Sequence, residues 1–489
     1  MTGVPDSRLV GDLPVTSPAD AAAAHVGDDD TLVVSGFGSV GDPKAVPGAL
    51  ADAAEAGRDL SLTVVSGGST GAPIDTRLFE ADAVARRYPF QGRQESRRAI
   101  NDRDVAFHDT HIARLGDQVE LGALADADTA VVEAVAVGED WLVPSTSIGQ
   151  TPAYVAAADR LVVEVNHAQP LDLADLHDVY RPGLPPDRDP IPLDSVDGRI
   201  GDARLDFDPE KLVAVVETDD ADTPYSFREP TDVDERIADH FADFLEAELR
   251  RNPAMCETIR LQFGVGSMGN ALMGALAAFD DGGRDVEYFG EVVQDGMLDL
   301  LADGTFQSAS ATSLALSEDG QERLFDDIQA YTENLVLRPA DVSNRAELVD
   351  RFGVVAVNSA VEVDIYGNAN STHVDGRRLL SGIGGSGDFN RNGLLSITAL
   401  PSTAAGGDVS RIVPAVTHVD HPEHDVSVVI TEHGVADLRG LSPVERAETL
   451  VADCAHPDYR ERLHAYLDHA TDERGHIPHD PDAAYDWLD

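Results

Sequence analysis

Lysine is almost missing from this chain. Lys44 and Lys211 are its only two lysines, so of its 36 basic residues 34 are arginines, and they face 89 Asp and Glu for a formal net charge of −53. A chain this negative repels phosphate backbones, which excludes nucleic acid as a partner. An acidic disordered segment or an acidic tail is excluded as well. Hydrophobic residues make up 42% of the chain and are spread along it, and the charge forms no terminal block. Such acidity without lysine is what solubility in concentrated salt requires, because a Debye length of roughly 3 Å at 1 M screens the self-repulsion. A halophilic cytoplasm is the expectation.

Cysteine is equally scarce. Cys256 and Cys454 are nearly 200 residues apart with no CxxC, which points away from a disulfide scaffold and from a cysteine zinc site and suits a reducing cytosol. No apolar run reaches 18 residues, and the opening MTGVPDSRLVGDLP has neither a basic n-region nor an apolar h-region. The expectation is therefore a cytoplasmic protein with no membrane association. At 489 residues the chain exceeds one ordinary core, and two domains are expected.

Short β-branched runs alternate with Ala-rich amphipathic stretches. TLVVSGFGSVGDPKAVPGALADAAEAG reads as strand, Gly-rich loop and then helix from about Pro43, and LSLTVVSGGSTGAPIDTRLFEA repeats the plan. Further buried strands are expected over 129–137, 161–165 and 212–217, and this alternation predicts parallel α/β sheets. The polar stretch 218–234, TDDADTPYSFREPTDVD, reads as a linker. Beyond it a long helix (ERIADHFADFLEAELRR) and further strand-loop-helix units restart the pattern. The division expected is 1–222 and 223–489, two versions of one architecture.

Several loops invite chemistry. FGVGSMGNAL (263–272) sets Gly264 and Gly266 after a strand and Gly269 three residues on, with Asn270 as a candidate cap. Such a loop suits an anion at a helix N-terminus or simply a tight βα turn. It matches a bare GxGxxG, yet no ribose-binding acid follows about twenty residues on, so a nicotinamide-linked dehydrogenase is disfavoured. GIGGSGDF (382–389) places four glycines in six residues, which suits a loop that turns backbone N–H groups toward a reacting oxygen. His418, His421 and His424 in THVDHPEHD could suggest a metal, but Pro422 forbids a regular helix through them. Hydrogen-bonded loop histidines are the expectation, with no metal. Glu291, in EYFGEVVQDGMLDL, follows a glycine at the end of an aromatic run. In so acidic a chain it reads by composition as a solvated glutamate.

Taken together, GEVVQDGMLDL, DVSNRAELVDRFGVVAVNSAVEVDIYGNANSTHVDG, GIGGSGDF and TEHGVADLRGLSPVERA resemble the acetyl-CoA hydrolase/transferase family. Within it the likeness is to succinyl-CoA:acetate CoA-transferases of class I. In the first half SGFGSVGDPKAVP, ARRYPFQGRQESRRAIN, VPSTSIG, VNHAQPLDLADLHDVY and DPIPL carry the same likeness, which spans nearly the whole chain. One departure is Gly290, where a threonine is common. The resemblance implies two open α/β domains of the NagB/RpiA-like CoA-transferase type in a homodimer, with acyl-CoA and small carboxylates as substrates and no cofactor beyond that CoA. It implies Glu291 as the nucleophile, Asn344 and the N–H of Gly385 as oxyanion donors, and Glu432 as a second active-site carboxylate. Gly264, Gly266, Ser267, Asn270 and Gly384 would close on CoA. Acetyl-CoA hydrolysis by the same glutamate remains an alternative, and a non-catalytic CoA-binding protein is disfavoured by the intact Glu291. Lys44, in a Gly-rich loop, is either a surviving surface lysine or local partner of Asp42, or a compact cation for a carboxylate or a CoA phosphate near the domain cleft.

Overall fold

A computed structural model describes residues 7–223, 228–471 and 475–485. By its contacts the chain divides into two compact units. The first comprises the described residues up to 223 together with Tyr288–Leu301 and Gln307–Leu348. The second runs from 228 to Glu287, takes in Ala302–Phe306 and continues from Val349. A sequence boundary at 222/223 puts Glu291 and Asn344 with the C-terminal part, whereas by contacts both pack with the first unit.

The first unit is built on parallel strands in the order Ala106–Phe107, Val84–Tyr88, Leu62–Val65, Thr31–Val34, Thr129–Val137, Arg160–Asn166 and Leu212–Thr218. Trp141–Pro144 folds back antiparallel on Thr129–Val137 and pairs onward with Leu205–Asp206. TAVVEAVAV is buried at every position, as a strand covered on both faces requires. The helix Ala45–Glu55 covers one face, where Val46, Leu50 and Ala51 join Leu32, Val34, Leu62 and Val64 in one core.

Two glutamates interrupt these apolar runs. Glu133 and Glu164 stand opposite each other in register, both fully buried. Glu164 has a clear task. Its Oε2 accepts the N–H groups of Lys44 (2.7 Å) and Ala45 (2.9 Å), and its Oε1 that of Val46 (2.6 Å). The helix N-terminus, which has no side-chain cap of its own, is thus capped by a carboxylate from a neighbouring strand, with the helix dipole favouring the negative charge. Lys44 turns its ammonium onto Glu133 Oε2 (2.5 Å), Asp222 Oδ1 (2.8 Å) and the carbonyl of Asp42 (2.9 Å). Three acceptors occupy three hydrogens. Lys44 is therefore placed as a compact cation pairing buried carboxylates inside the first unit, and it is not a surface lysine. Its link to Asp42 runs through the backbone.

In the second unit Thr258–Phe263, Val355–Asn358, Leu395–Ala399 and Val428–Thr431 run parallel in that order, with Gly434–Asp437 antiparallel beyond. The helix Asp232–Arg251 starts with a capping box between Thr231 and Asp234 and buries Ile237, Phe241, Phe244 and Leu245 at helical spacing. Both units thus carry the parallel α/β plan expected from the sequence. The expected linker is less open than its composition suggests, since Asp222 within it is buried; its residues 224–227 lie outside the described chain.

Burial pushes the Asp42 carboxyl up to about 6, against the pull of Lys44 and with the help of Asp222. The folded protein therefore holds a proton there that the unfolded chain, with an ordinary value of 3.8, releases. This stabilising contribution is complete below pH ~4 and is lost as pH rises through ~6. Relative to wild type, Asp42→Asn should gain about 2 kcal/mol between pH 4 and pH 7. Thermal melts of both proteins across that range check it, and a constant difference in Tm contradicts it.

Candidate functional site

Glu291 lies between the strand Asp285–Phe289 and the short strand Val292–Val293, which pairs in parallel with Ser313–Leu314. Its backbone is held on the far strand, where the N–H groups of Thr312 (2.8 Å) and Ser313 (3.1 Å) both donate to the Glu291 carbonyl. The preceding Gly290 donates to the carbonyl of Ser310 at 3.0 Å. Its φ is not left-handed, so the reason for glycine is space: a Cβ there would lie 2.5 Å from the hydroxyl of Tyr288. That buried hydroxyl donates to the carbonyl of Val292 at 2.9 Å. Tyr288 thus occupies the room that a threonine side chain at 290 would need, and it ties together the two sides of Glu291.

The side chain of Glu291 is half-buried, and its Oε1 accepts a 2.7 Å hydrogen bond from Asn344 Nδ2. Asn344 is fully buried and closes the single helical turn Ala340–Ser343, its own N–H donating to the carbonyl of Ala340. The structure therefore brings together two residues 53 positions apart that the sequence singled out separately. Asp341, in the same turn, is pushed up to about 6 by burial, with Arg345 opposing.

The other candidates belong to the second unit. Gly264 donates to the carbonyl of Val357, and a Cβ on it would come within 3.0 Å of Asn358 Oδ1. Gly266, at φ +141°, is the N-cap of the helix Ser267–Leu276. Asn270 is therefore not the cap. It lies one turn inside the helix, where its N–H donates to the Gly266 carbonyl, because the left-handed glycine starts the helix earlier than side-chain capping chemistry suggested. Gly384 takes φ +60°, and Gly385 forms the N-cap of Ser386–Asn392. Glu432 is buried and accepts from Ser402 twice, from its N–H at 2.8 Å and its Oγ at 2.6 Å.

The sequence missed Asn358. Its amide donates to Gln262 Oε1 (3.0 Å) and Asn390 Oδ1 (2.8 Å) and accepts from Gln262 Nε2 (3.2 Å), all buried. It thereby joins the strand leading into the Gly264 loop to the helix leaving the Gly385 loop. An asparagine ending the apolar strand VAVN was the available signal. The three histidines are hydrogen-bonded or ion-paired one by one: His418 Nε2 meets Asp420 at 3.1 Å, His421 Nε2 lies 3.2 Å from Ser386 Oγ and 3.4 Å from Ser371 Oγ, and exposed His424 adjoins Glu423. Among the described residues no group of three or more His, Cys, Asp or Glu is arranged to hold a metal ion. Nor is any helix among them long and apolar enough to cross a membrane.

Comparison with known proteins decides the family. Residues 15–217 match the acetyl-CoA hydrolase/transferase N-terminal domain and residues 320–467 its C-terminal domain. The chain belongs to the acetyl-CoA hydrolase/transferase family. A succinyl-CoA:acetate CoA-transferase of Clostridium kluyveri is 40% identical over 472 residues, 96% of this chain and 87% of that protein. An acetyl-CoA hydrolase of Eremothecium gossypii is 41% identical over 464 residues, covering 91% and 88%. The fold also matches the crystal structure of RipA from Yersinia pestis, with a TM-score of 0.70 at 23% identity over 92% of this chain and 96% of that one. As a member of this hydrolase/transferase family, the chain is an enzyme.

The packing around Gly290 makes a direct prediction. Gly290→Ala forces a methyl against the buried Tyr288 ring and should cost about 1–3 kcal/mol of stability. A variant with the wild-type Tm would show that the space is not limiting.

Proposed function

We propose that the enzyme transfers CoA between an acyl-CoA, with acetyl, propionyl or succinyl as its acyl group, and a small carboxylate. The observation that carries this reading is the hydrogen bond from Asn344 to the Glu291 carboxylate. Glu291 attacks the thioester carbonyl, the C–S bond breaks, and CoA leaves as thiolate from an acyl-glutamyl anhydride. The thiolate then attacks the glutamyl carbonyl, which releases the first carboxylate and leaves a glutamyl-CoA thioester. An incoming carboxylate reverses both steps and departs as the new acyl-CoA. Nucleophile, donor acid and acceptor acid are all carboxylates, so the bonds exchanged are alike and the transfer is nearly isoenergetic.

The position of Asn344 suits this path. An amide N–H that already meets Oε1 stays aimed at that oxygen when it becomes the carbonyl of the thioester and develops charge under attack. The Gly385 N–H, at the start of a helix, is assigned the same task, Glu432 a substrate-positioning one, and the Gly264–Asn270 and Gly384 backbones the contacts with CoA. Coenzyme A is substrate here, and no further cofactor enters. The similarity to an acetyl-CoA hydrolase supports a second reading in which water resolves the same thioester, and dependence of the rate on added carboxylate separates the two.

Glu291→Ala should abolish transfer with little change in Tm, and borohydride should trap the wild-type glutamyl-CoA thioester when no acceptor is present. More than about a hundredth of the wild-type rate in the variant would exclude this nucleophile. Asn344→Ala should lose about 10²–10³ in kcat.

We further propose a homodimer, on the family resemblance, and a salt-rich cytoplasm, as a charge of −53 with two lysines suggests. Activity and circular dichroism should both require molar salt. Full stability in about 50 mM salt, where the Debye length is still above roughly 10 Å, would sink the halophilic reading.

A further inference from the structure

The motif VPSTSIG and the buried Asp222 have no part in the chemistry above, yet hydrogen bonds connect both to Glu291 and Asn344. Residues 146–149 lie against the strand that holds the Glu291 carbonyl. The Thr146 carbonyl accepts the N–H of Leu314 at 3.0 Å, the Ile148 N–H donates to the carbonyl of Thr312 at 3.0 Å, and the Gly149 N–H donates to Thr312 Oγ1 at 3.0 Å. Gly149 also accepts, at 2.8 Å, the N–H of Ala340, which opens the turn that ends in Asn344. One short loop therefore fixes both the backbone behind the nucleophile and the helical turn that carries its amide partner.

What fixes the loop is Asp222. Its side chain is fully buried, and its Oδ2 accepts from Thr146 Oγ1 at 2.6 Å and from Gln169 Nε2 at 3.1 Å. Its Oδ1 accepts the Gly41 N–H at 3.2 Å and pairs with Lys44 at 2.8 Å. Gly41 ends the first Gly-rich loop, whose Phe37 carbonyl accepts from Ser313 Oγ at 2.5 Å. The 312–314 strand is thus gripped from two sides, and Asp222 holds both grips. We propose that Asp222 and Thr146 are positioning residues that set the Glu291–Asn344 geometry without touching substrate. As a statement about turnover this rests on the transferase reading above; as a statement about the clamp it does not.

The test uses the full-length protein in molar salt. Thr146→Val keeps the shape of the side chain and removes the hydroxyl, Thr146→Ser keeps the hydroxyl, and Asp222→Asn weakens the same bond from its other end. Hydrogen–deuterium exchange at amides 312–314 reads the clamp directly and needs no activity. In Thr146→Val and Asp222→Asn these amides should exchange about tenfold faster, as the loss of one buried hydrogen bond implies. kcat should fall about ten- to a hundredfold, with KM for acyl-CoA within about twofold because no substrate contact is lost. Thr146→Ser should return both to near wild type. Unchanged exchange in the Val variant overturns the proposal, as does faster exchange with an unchanged kcat, or a Ser variant as impaired as Val. A wild-type protein whose consumption of acyl-CoA does not depend on added carboxylate would sink the transferase reading instead, and the exchange comparison would then decide the clamp alone.

Discussion

Two amide hydrogens, from Thr312 and Ser313, meet the carbonyl oxygen of Glu291, and the backbone on either side of Glu291 is built around that contact. As the proposed nucleophile, the Glu291 carboxylate faces a conflict. Every hydrogen bond that immobilises its oxygens also stabilises the anion and blunts its attack. The first unit meets this by putting rigidity into the backbone: Gly290 is tied to Ser310, Tyr288 bonds across to Val292, and the carbonyl of Glu291 is held on the neighbouring strand. The carboxylate itself meets a neutral amide, Asn344. A neutral donor orients an oxygen without the charge pairing that an arginine would impose, and arginine is the abundant cation of this chain.

The scarcity of lysine acquires a physical meaning in the same unit. Lys44 serves three acceptors from separate segments, a task for a compact ammonium whose hydrogens point in three directions; a planar guanidinium would demand coplanar partners. The cluster it joins includes Asp42, Glu133 and Asp222, all buried. Desolvating this many acids is costly, and a single ammonium does not neutralise them. The raised Asp42 carboxyl is the consequence. A buried cluster has one property that the acidic surface lacks: ions in solution do not screen it. In concentrated salt, surface pairs such as Arg77–Asp52 contribute little, whereas the Lys44 pairs keep their strength.

The strands were legible because apolar runs leave few alternatives. The expected 129–137, 161–165 and 212–217 correspond to Thr129–Val137, Arg160–Asn166 and Leu212–Thr218. Starts of helices were harder to read. Asn270 has the right side chain for a cap, but Gly266 adopts a backbone that only glycine reaches cheaply, and the helix begins there. The helix after Lys44 has no local cap at all, because its cap arrives from Glu164, 120 residues away in sequence. Local signals cannot report a partner supplied by the fold.

The buried acids show the same limit in sharper form. With 89 Asp and Glu in the chain, a carboxylate has no distinguishing mark in the sequence, and Asp222 stood in a stretch whose prolines and polar residues describe a linker. What separates Asp222 from a solvated aspartate is that four donors from three segments converge on it. Glu291 escaped this anonymity only because its neighbours formed a motif. In an acidic chain, then, partnered acids are legible through the uncharged residues around them: Gly290 made room for Tyr288, Thr146 supplied the hydroxyl that Asp222 accepts, and Asn344 supplied the amide that Glu291 accepts. Surface acidity drives composition toward Asp and Glu everywhere, but it leaves buried glycines, hydroxyls and amides under the constraint of packing alone.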